Sequence, residues 1–185
     1  TPDIPWREYD RTQPATEQFE GVDIVFEDGF YGRETGLIHA AADAGVRFWQ
    51  TMTNGTDHMD LKIFRERGMT LANAPGPFSA IALAEHALYA MFFFAKRHFE
   101  CRDSLQERVI CIPVCTELCE ATLGIVGLGA SGKELASRAA ALGMRVLATE
   151  MMKPSDEDLR DLGVDTFFDP GKLGDMARES DYLSL

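Results

Sequence analysis

Gly127, Gly129 and Gly132 stand in the spacing G-x-G-x-x-G, and Glu150 follows eighteen residues after the last of them. Glycines at that spacing suit chemistry done with backbone rather than side chains. The first allows a tight turn, the second lets the main chain approach a phosphate group, and the third lets a helix lie close to a strand. N–H groups at the start of such a helix attract an anion together with the positive end of the helix dipole. A carboxylate at Glu150 can accept two ribose hydroxyls and repels an extra phosphate. The spacing alone is a weak signal. It leaves open a glycine-rich turn that binds nothing, a flavin, or another nucleotide.

A second candidate is Met52-Thr53-Asn54-Gly55-Thr56-Asp57-His58-Met59-Asp60, a polar loop after an apolar strand pattern. Ligands of open α/β sheets bind beyond the carboxyl ends of the strands, and Asn54-Gly55 can turn backbone amides toward a small anion. The same residues read equally as an ordinary strand-to-helix turn in which Asp57 or Asp60 caps a helix at 61–67. His58 reads as a helix-start residue rather than a catalyst, and His39 as a surface or packing residue. Glu85 and His86, inside an apolar helix, read as a satisfied buried pair in preference to a catalytic one. Cys111, Cys115 and Cys119 recur every four residues, with Cys101 ten before. Metal sites favour closer thiolate pairs such as C-x2-C, and Pro113 interrupts a helical presentation, so chance free thiols are favoured over zinc or iron–sulfur ligation.

The elements that must position these residues follow from periodicity. Leu123, Ile125 and Val126 read as a buried parallel strand, and residues 133–142 as a helix with Leu135, Ala136, Ala139 and Leu142 on one face. Residues 144–149 make the next strand and carry Glu150 at its tip. A helix at 155–162 capped by Ser155, a strand at 165–168, a helix at 172–179 and a strand at 182–185 complete the pattern. Upstream, an extended piece around residues 4–9 and a helix beginning near Thr16 precede strands at 21–26, 46–51 and 69–73, which alternate with helices at 36–44 and 61–67. Pro75-Gly76-Pro77 ends regular structure, with Ser79 available as a cap. The boundary divides the chain into 1–78 and 79–185. Residues 81–98 are apolar on nearly every face and need cover all round, which points to a subunit or domain interface. Residues 102–120 are the least legible, with 110–114 either a strand or an extended connection.

Composition bounds the function. The chain has 185 residues, 45% of them hydrophobic, enough for a buried core. Its net charge of −12 argues against nucleic-acid and anionic-membrane partners, which need a basic face. No secretory signal is visible, and the apolar run 81–95, interrupted by Glu85 and His86, is too short for a bilayer. Four cysteines in such a chain suit a reducing compartment, the cytoplasm. The chain starts at Thr1 without an initiator Met, as a processed or cut chain does.

Taken in order, Thr53-Asn54-Gly55-Thr56-Asp57-His58-Met59-Asp60, Asn73-Ala74-Pro75-Gly76, Ala84-Glu85-His86-Ala87, Leu123-Gly124-Ile125-Val126-Gly127-Leu128-Gly129 and Ser180-Asp181-Tyr182-Leu183-Ser184-Leu185 resemble the D-isomer-specific 2-hydroxyacid dehydrogenases. Formate, glycerate, phosphoglycerate and D-lactate dehydrogenases belong to that family. The resemblance runs along almost the whole chain. It implies an α/β chain with parallel sheets, a flavodoxin-like substrate domain joined to a Rossmann domain, NAD in the cleft between them, and a homodimer built through the nucleotide domain and its long helix. It implies that Thr53, Asn54 and Gly55 hold a substrate carboxylate and that Gly127, Gly129, Ala130, Ser131 and Gly132 bind the pyrophosphate. Glu150 takes the acidic position at the adenosine ribose. Met151 and Met152 leave a 2′-phosphate little to hold except Lys153, which favours NAD over NADP.

The sequence departs from the family in three ways. Val109, Ile110, Cys111, Cys115 and Cys119 stand where the family has glycines and a tryptophan, and Ser131 stands where isoleucine is common. The family's catalytic Arg, Glu and His fall beyond residue 185. The chain is therefore expected to be an internal portion of a dehydrogenase of roughly 300 residues or more. The leading function is D-2-hydroxyacid + NAD ⇌ 2-oxoacid + NADH. The rival is an NAD(H)-sensing, corepressor-like binding protein without catalysis.

Overall fold

Gly45 and Gly68, both with positive φ, follow the second and third helices of the chain and return it to extended backbone. This glycine punctuation builds a run of strand–helix units. The computed structural model describes residues 5–29 and 34–185. They fall into two compact units, Thr1–Pro75 and Gly76–Leu185.

In the first unit α1 (Ala15–Gln18), β1 (Ile24–Glu27), α2 (Thr35–Asp43), β2 (Phe48–Thr51), α3 (Leu61–Glu66) and β3 (Thr70–Ala72) follow in order. The strands form a parallel sheet in the order β1-β2-β3, with Ile24 opposite Phe48 and Phe48 opposite Thr70. Trp49, fully buried on the central strand, packs edge-on against Phe64 of α3 with ring centroids 6.2 Å apart. Ile38 and Ala41 of α2 join the same core. His39 points outward from α2 and is exposed, as its reading as a surface residue requires. The expected extended piece at 4–9 is irregular from Pro5 onward, and Ile4 lies outside the described residues.

The second unit opens with α4 (Pro77–Ala95) and α5 (His98–Gln106). β4 (Thr122–Val126), α6 (Ala130–Ala141), β5 (Arg145–Thr149), α7 (Asp156–Asp161), β6 (Thr166–Phe168), α8 (Leu173–Glu179) and β7 (Tyr182–Ser184) follow. All four strands are parallel, in the order β6-β5-β4-β7. The chain steps outward from β4 to β6 and then returns to the other side of β4. The order reverses beside β4, the place where open α/β sheets form a ligand crevice at the strands' carboxyl ends. Ile125, Val146 and Ala148 from the sheet and Ala136 and Ala139 from α6 make the core, with Ala84, Met91 and Ala95 of α4 laid over it.

Several boundaries differ from the expected ones. The helix expected at 81–98 is α4, which starts four residues earlier and ends at Ala95, and a second helix, α5, follows from His98. Pro77, preorganised for a first helical turn, starts α4 early, so Ser79 lies inside the helix and Gly76 takes the cap position. Arg97 adopts a left-handed conformation (φ 45°) and turns the chain into α5. α4 at 19 residues and mean hydropathy 1.5 is thus long and apolar enough to cross a membrane by length and composition, contrary to the shorter run expected. Glu85 and His86 are exposed, not a buried pair, because α4 turns Ala84 and Met91 toward the core and these two away from it. Leu142 caps the end of α6 and is partly exposed, so it does not continue that helix's buried face. Residues 110–114 form no strand. Ser155 caps α7 as expected, in a reciprocal pair with Asp158, and its hydroxyl and amide hold the Asp158 carboxyl below the usual carboxylate range.

Candidate functional site

The turn after β4 is shaped by its glycines. Gly127 has φ 101°, a conformation L side chains rarely adopt, and its N–H donates to the Thr149 carbonyl at 2.8 Å, tying the turn to the end of β5. Leu128 is buried and anchors the turn from below. A Cβ on Gly132 would lie 2.0 Å from the Gly127 carbonyl oxygen, an impossible approach, so this position requires glycine for α6 to pack against the turn. A Cβ on Gly129 would meet nothing within 4 Å. The backbone there borders open space.

Gly129 is the cap residue of α6, and no side chain caps this end of the helix. Its first turn contains no acid. The leading N–H groups of a helix have no partners within it, and those of Ala130, Ser131 and Gly132 face the carboxyl end of β4 with the positive end of the dipole behind them. Glu150, just past β5, reaches back to the same turn. One of its oxygens accepts from the Leu128 N–H at 2.9 Å and the other from the Met151 N–H at 2.7 Å. A carboxylate has about four lone-pair positions, so each oxygen keeps capacity for a ligand hydroxyl. The structure therefore brings Gly127, Gly129, Ala130, Ser131, Gly132 and Glu150 together around one turn. Lys153, the only cation expected nearby, is paired with Asp156 at 2.9 Å.

These residues fit a dinucleotide. The glycine cradle admits a pyrophosphate where a Cβ would intrude, the bare helix start supplies N–H donors, and the anchored carboxylate suits a ribose diol.

In the first unit, the loop after β2 is pinned from both sides. Thr51, fully buried, shares a hydrogen bond with the Thr53 hydroxyl at 2.9 Å, and the Thr53 hydroxyl donates to the Gly55 carbonyl at 2.8 Å. The Asn73 side-chain amide donates to the Asn54 carbonyl at 2.6 Å. Gly29 makes room for this arrangement, since a Cβ there would lie 2.4 Å from the Thr53 methyl. The amides of Asn54 and Gly55 have no partner among the described residues, and both residues are exposed. The Asp57 carboxylate stands beside Gly55, a negative charge that an incoming anion must face. Asp60, not Asp57, caps α3 by accepting from the Lys62 N–H at 3.0 Å. The two readings of this loop are compatible, because the cap and the exposed amides use different residues. His58 is half-buried, and its Nε2 has no hydrogen-bond partner among the described residues.

Sequence reasoning missed Thr51 and Asn73. Thr51 ends an apolar strand pattern, and Asn73 lies nineteen residues from the carbonyl it holds. Only the parallel pairing of β2 with β3 brings them to one loop.

Residues 88–185 match the family model described as D-isomer specific 2-hydroxyacid dehydrogenase, NAD binding domain. An erythronate-4-phosphate dehydrogenase of Edwardsiella ictaluri (strain 93-146) is 33% identical over 165 residues, which is 88% of this chain and 37% of that protein. A hydroxypyruvate reductase of Thermotoga maritima is 34% identical over 134 residues, covering 71% of this chain and 40% of the relative. Among solved structures, a D-lactate dehydrogenase from Aquifex aeolicus complexed with NAD and lactic acid superposes with a TM-score of 0.78 at 23% identity, covering 95% of this chain and 51% of that one. The chain thus spans well under half the length of these curated relatives and about half that of the solved neighbour.

Proposed function

The chain belongs to the D-isomer specific 2-hydroxyacid dehydrogenases, and from that premise we propose that the protein is an NAD-dependent oxidoreductase acting on a small D-2-hydroxyacid. The observation that carries the reading is Glu150, whose carboxylate is fixed by the Leu128 and Met151 amides beside the uncapped start of α6.

NAD, when bound, supplies the acceptor for the hydride that leaves the substrate's alcohol carbon. The N–H groups of Ala130, Ser131 and Gly132 hold the pyrophosphate, Gly127 and Gly129 give it room, and Glu150 orients the adenosine ribose. The fixed charge of Glu150 and the commitment of Lys153 to Asp156 both disfavour a 2′-phosphate. Thr53 shapes the loop on which the Asn54 and Gly55 amides receive the substrate carboxylate. Amides held in place by the loop's hydrogen bonds give a bound carboxylate one orientation, and orientation of this kind is a large part of catalysis.

The protein is further proposed to be a cytoplasmic homodimer. Four unpaired cysteines support the compartment. Exposed apolar side chains around α4 support the dimer, among them Phe78, Leu83, Tyr89 and Phe94. An apolar surface of this kind calls for a partner.

The deciding experiment is an NADH fluorescence titration followed by turnover with a panel of 2-oxoacids and hydroxyacids that includes pyruvate, hydroxypyruvate and erythronate 4-phosphate. Saturable NADH binding is expected of this chain, and oxidation or reduction of one of them where the family's catalytic Arg, Glu and His are also present. Binding without turnover in their presence would replace the enzyme by a nucleotide-sensing protein, and absence of binding would remove the cofactor site.

A further inference from the structure

Four cysteines lie between residues 101 and 119, and the structure separates them. Cys111 is exposed on the irregular stretch after α5. Cys119 packs beside Gly143, where a Cβ would lie 3.0 Å from its sulfur. Cys101 and Cys115 face one another with their sulfurs 3.7 Å apart, and both reach the Lys96 carbonyl, at 3.1 and 3.2 Å.

This meeting is fixed by the backbone. The left-handed Arg97 folds the start of α5 back beside the end of α4. The Thr116 N–H donates to the Ala95 carbonyl at 2.9 Å, and the Lys96 ammonium donates to the Thr116 carbonyl at 2.8 Å. Residues 115–116 are thereby held against the same helix end from which Cys101 departs. A disulfide requires sulfurs about 2.05 Å apart, so closure calls for a side-chain rotation and leaves these backbone bonds in place. Desolvation first, then the Cys115 thiol and the Glu100 carboxylate, push the Cys101 thiol up, with Arg97 pulling the other way.

We propose that Cys101 and Cys115 are a dithiol site for hydroperoxides, closing to a disulfide that staples α5 to the segment leading into β4. One thiol, as its thiolate, attacks a peroxide oxygen and becomes a sulfenic acid as the O–O bond breaks, and water leaves. The second sulfur attacks the first, the S–O bond breaks, and another water leaves. Two S–H hydrogens and two electrons pass to one hydrogen peroxide, which is reduced to two waters. A thiol reductant reverses the bond through a mixed disulfide. The bond closes the loop 102–114 and pins both ends of an exposed apolar run containing Val109, Ile110, Ile112 and Val114. Reversible closure of this kind belongs to a reducing compartment, where disulfides are transient and respond to redox state. The site stands apart from the cofactor reading, and its test uses no cofactor.

The full chain, fully reduced, is treated with equimolar hydrogen peroxide and quenched in acid. Thiol titration in denaturant should fall from four to two groups, and tandem mass spectrometry of the unreduced digest should assign the link to Cys101 and Cys115. C111S and C119S should leave that link unchanged, and C101S and C115S should each abolish it. Native protein nicked after Arg108 should stay covalently joined until a reductant is added. Retention of four thiols overturns the proposal. So does a link through Cys111, Cys119 or a second copy, or oxidation of Cys101 to a sulfinic acid without a link. The wild-type crosslink decides the matter even where a serine variant folds poorly.

Discussion

At Gly129 and Gly132 the same residue type does two different jobs, and substitution separates them. A side chain on Gly129 enters open space, so Gly129→Asp should fold normally while setting a carboxylate against the pyrophosphate position. NADH affinity should fall roughly tenfold or more, since the helix start that favours an anion now faces a fixed one. Gly132→Ala instead drives a methyl into the Gly127 carbonyl. Overpacking against backbone costs about 1–3 kcal/mol, so its melting temperature should drop as well as its affinity. Paired thermal melts and NADH titrations check both, and unchanged affinity in Gly129→Asp would refute the placement of the cofactor. The roles of these glycines were open to sequence reasoning because spacing encodes the local strand–turn–helix geometry. The Asn73 bond to the Asn54 carbonyl was not, because no local pattern records which strands become neighbours.

Among the elements, α4 carries the clearest unmet demand. Ala80, Ala84, Met91 and Ala95 are buried against the unit's own core, while Phe94 on another face is 72% exposed. If a second copy covers that face, Phe94→Glu should preserve the fold and shift the protein from dimer to monomer in light scattering. Ala84→Glu, which places a charge in the core, should unfold the unit instead. A wild-type monomer at all accessible concentrations would end the dimer proposal. The apolar character of this helix was plain in the sequence, and so was its need for cover. Its ends were not, because Pro77 reads as a breaker as readily as a first-turn residue. The turn at Arg97 gave no signal, since arginine has no special preference for a left-handed conformation. Without that turn the nearness of Cys101 to Cys115 could not be foreseen, and three cysteines recurring every four residues with a fourth ten before them read as chance free thiols.

For the whole molecule, the division into two units makes the spectroscopic probes selective. Both tryptophans, Trp6 and Trp49, belong to Thr1–Pro75, and Trp49 is fully buried in that unit's core. The glycine turn, α6 and Glu150 all belong to Gly76–Leu185. Each unit has its own cluster of buried apolar residues, with no residue shared. Tryptophan emission therefore reports melting of the first unit, while far-ultraviolet circular dichroism reports both. A ligand held by the second unit stabilises it by about 2.7 kcal/mol at a hundredfold excess over its dissociation constant. NADH at that level should raise the later or larger part of the dichroism transition and move the tryptophan transition by less. Equal displacement of both signals would mean that the units melt as one cooperative body or share the ligand's binding energy. Displacement of the tryptophan signal alone would place the principal nucleotide contacts in the first unit, against the glycine turn and Glu150.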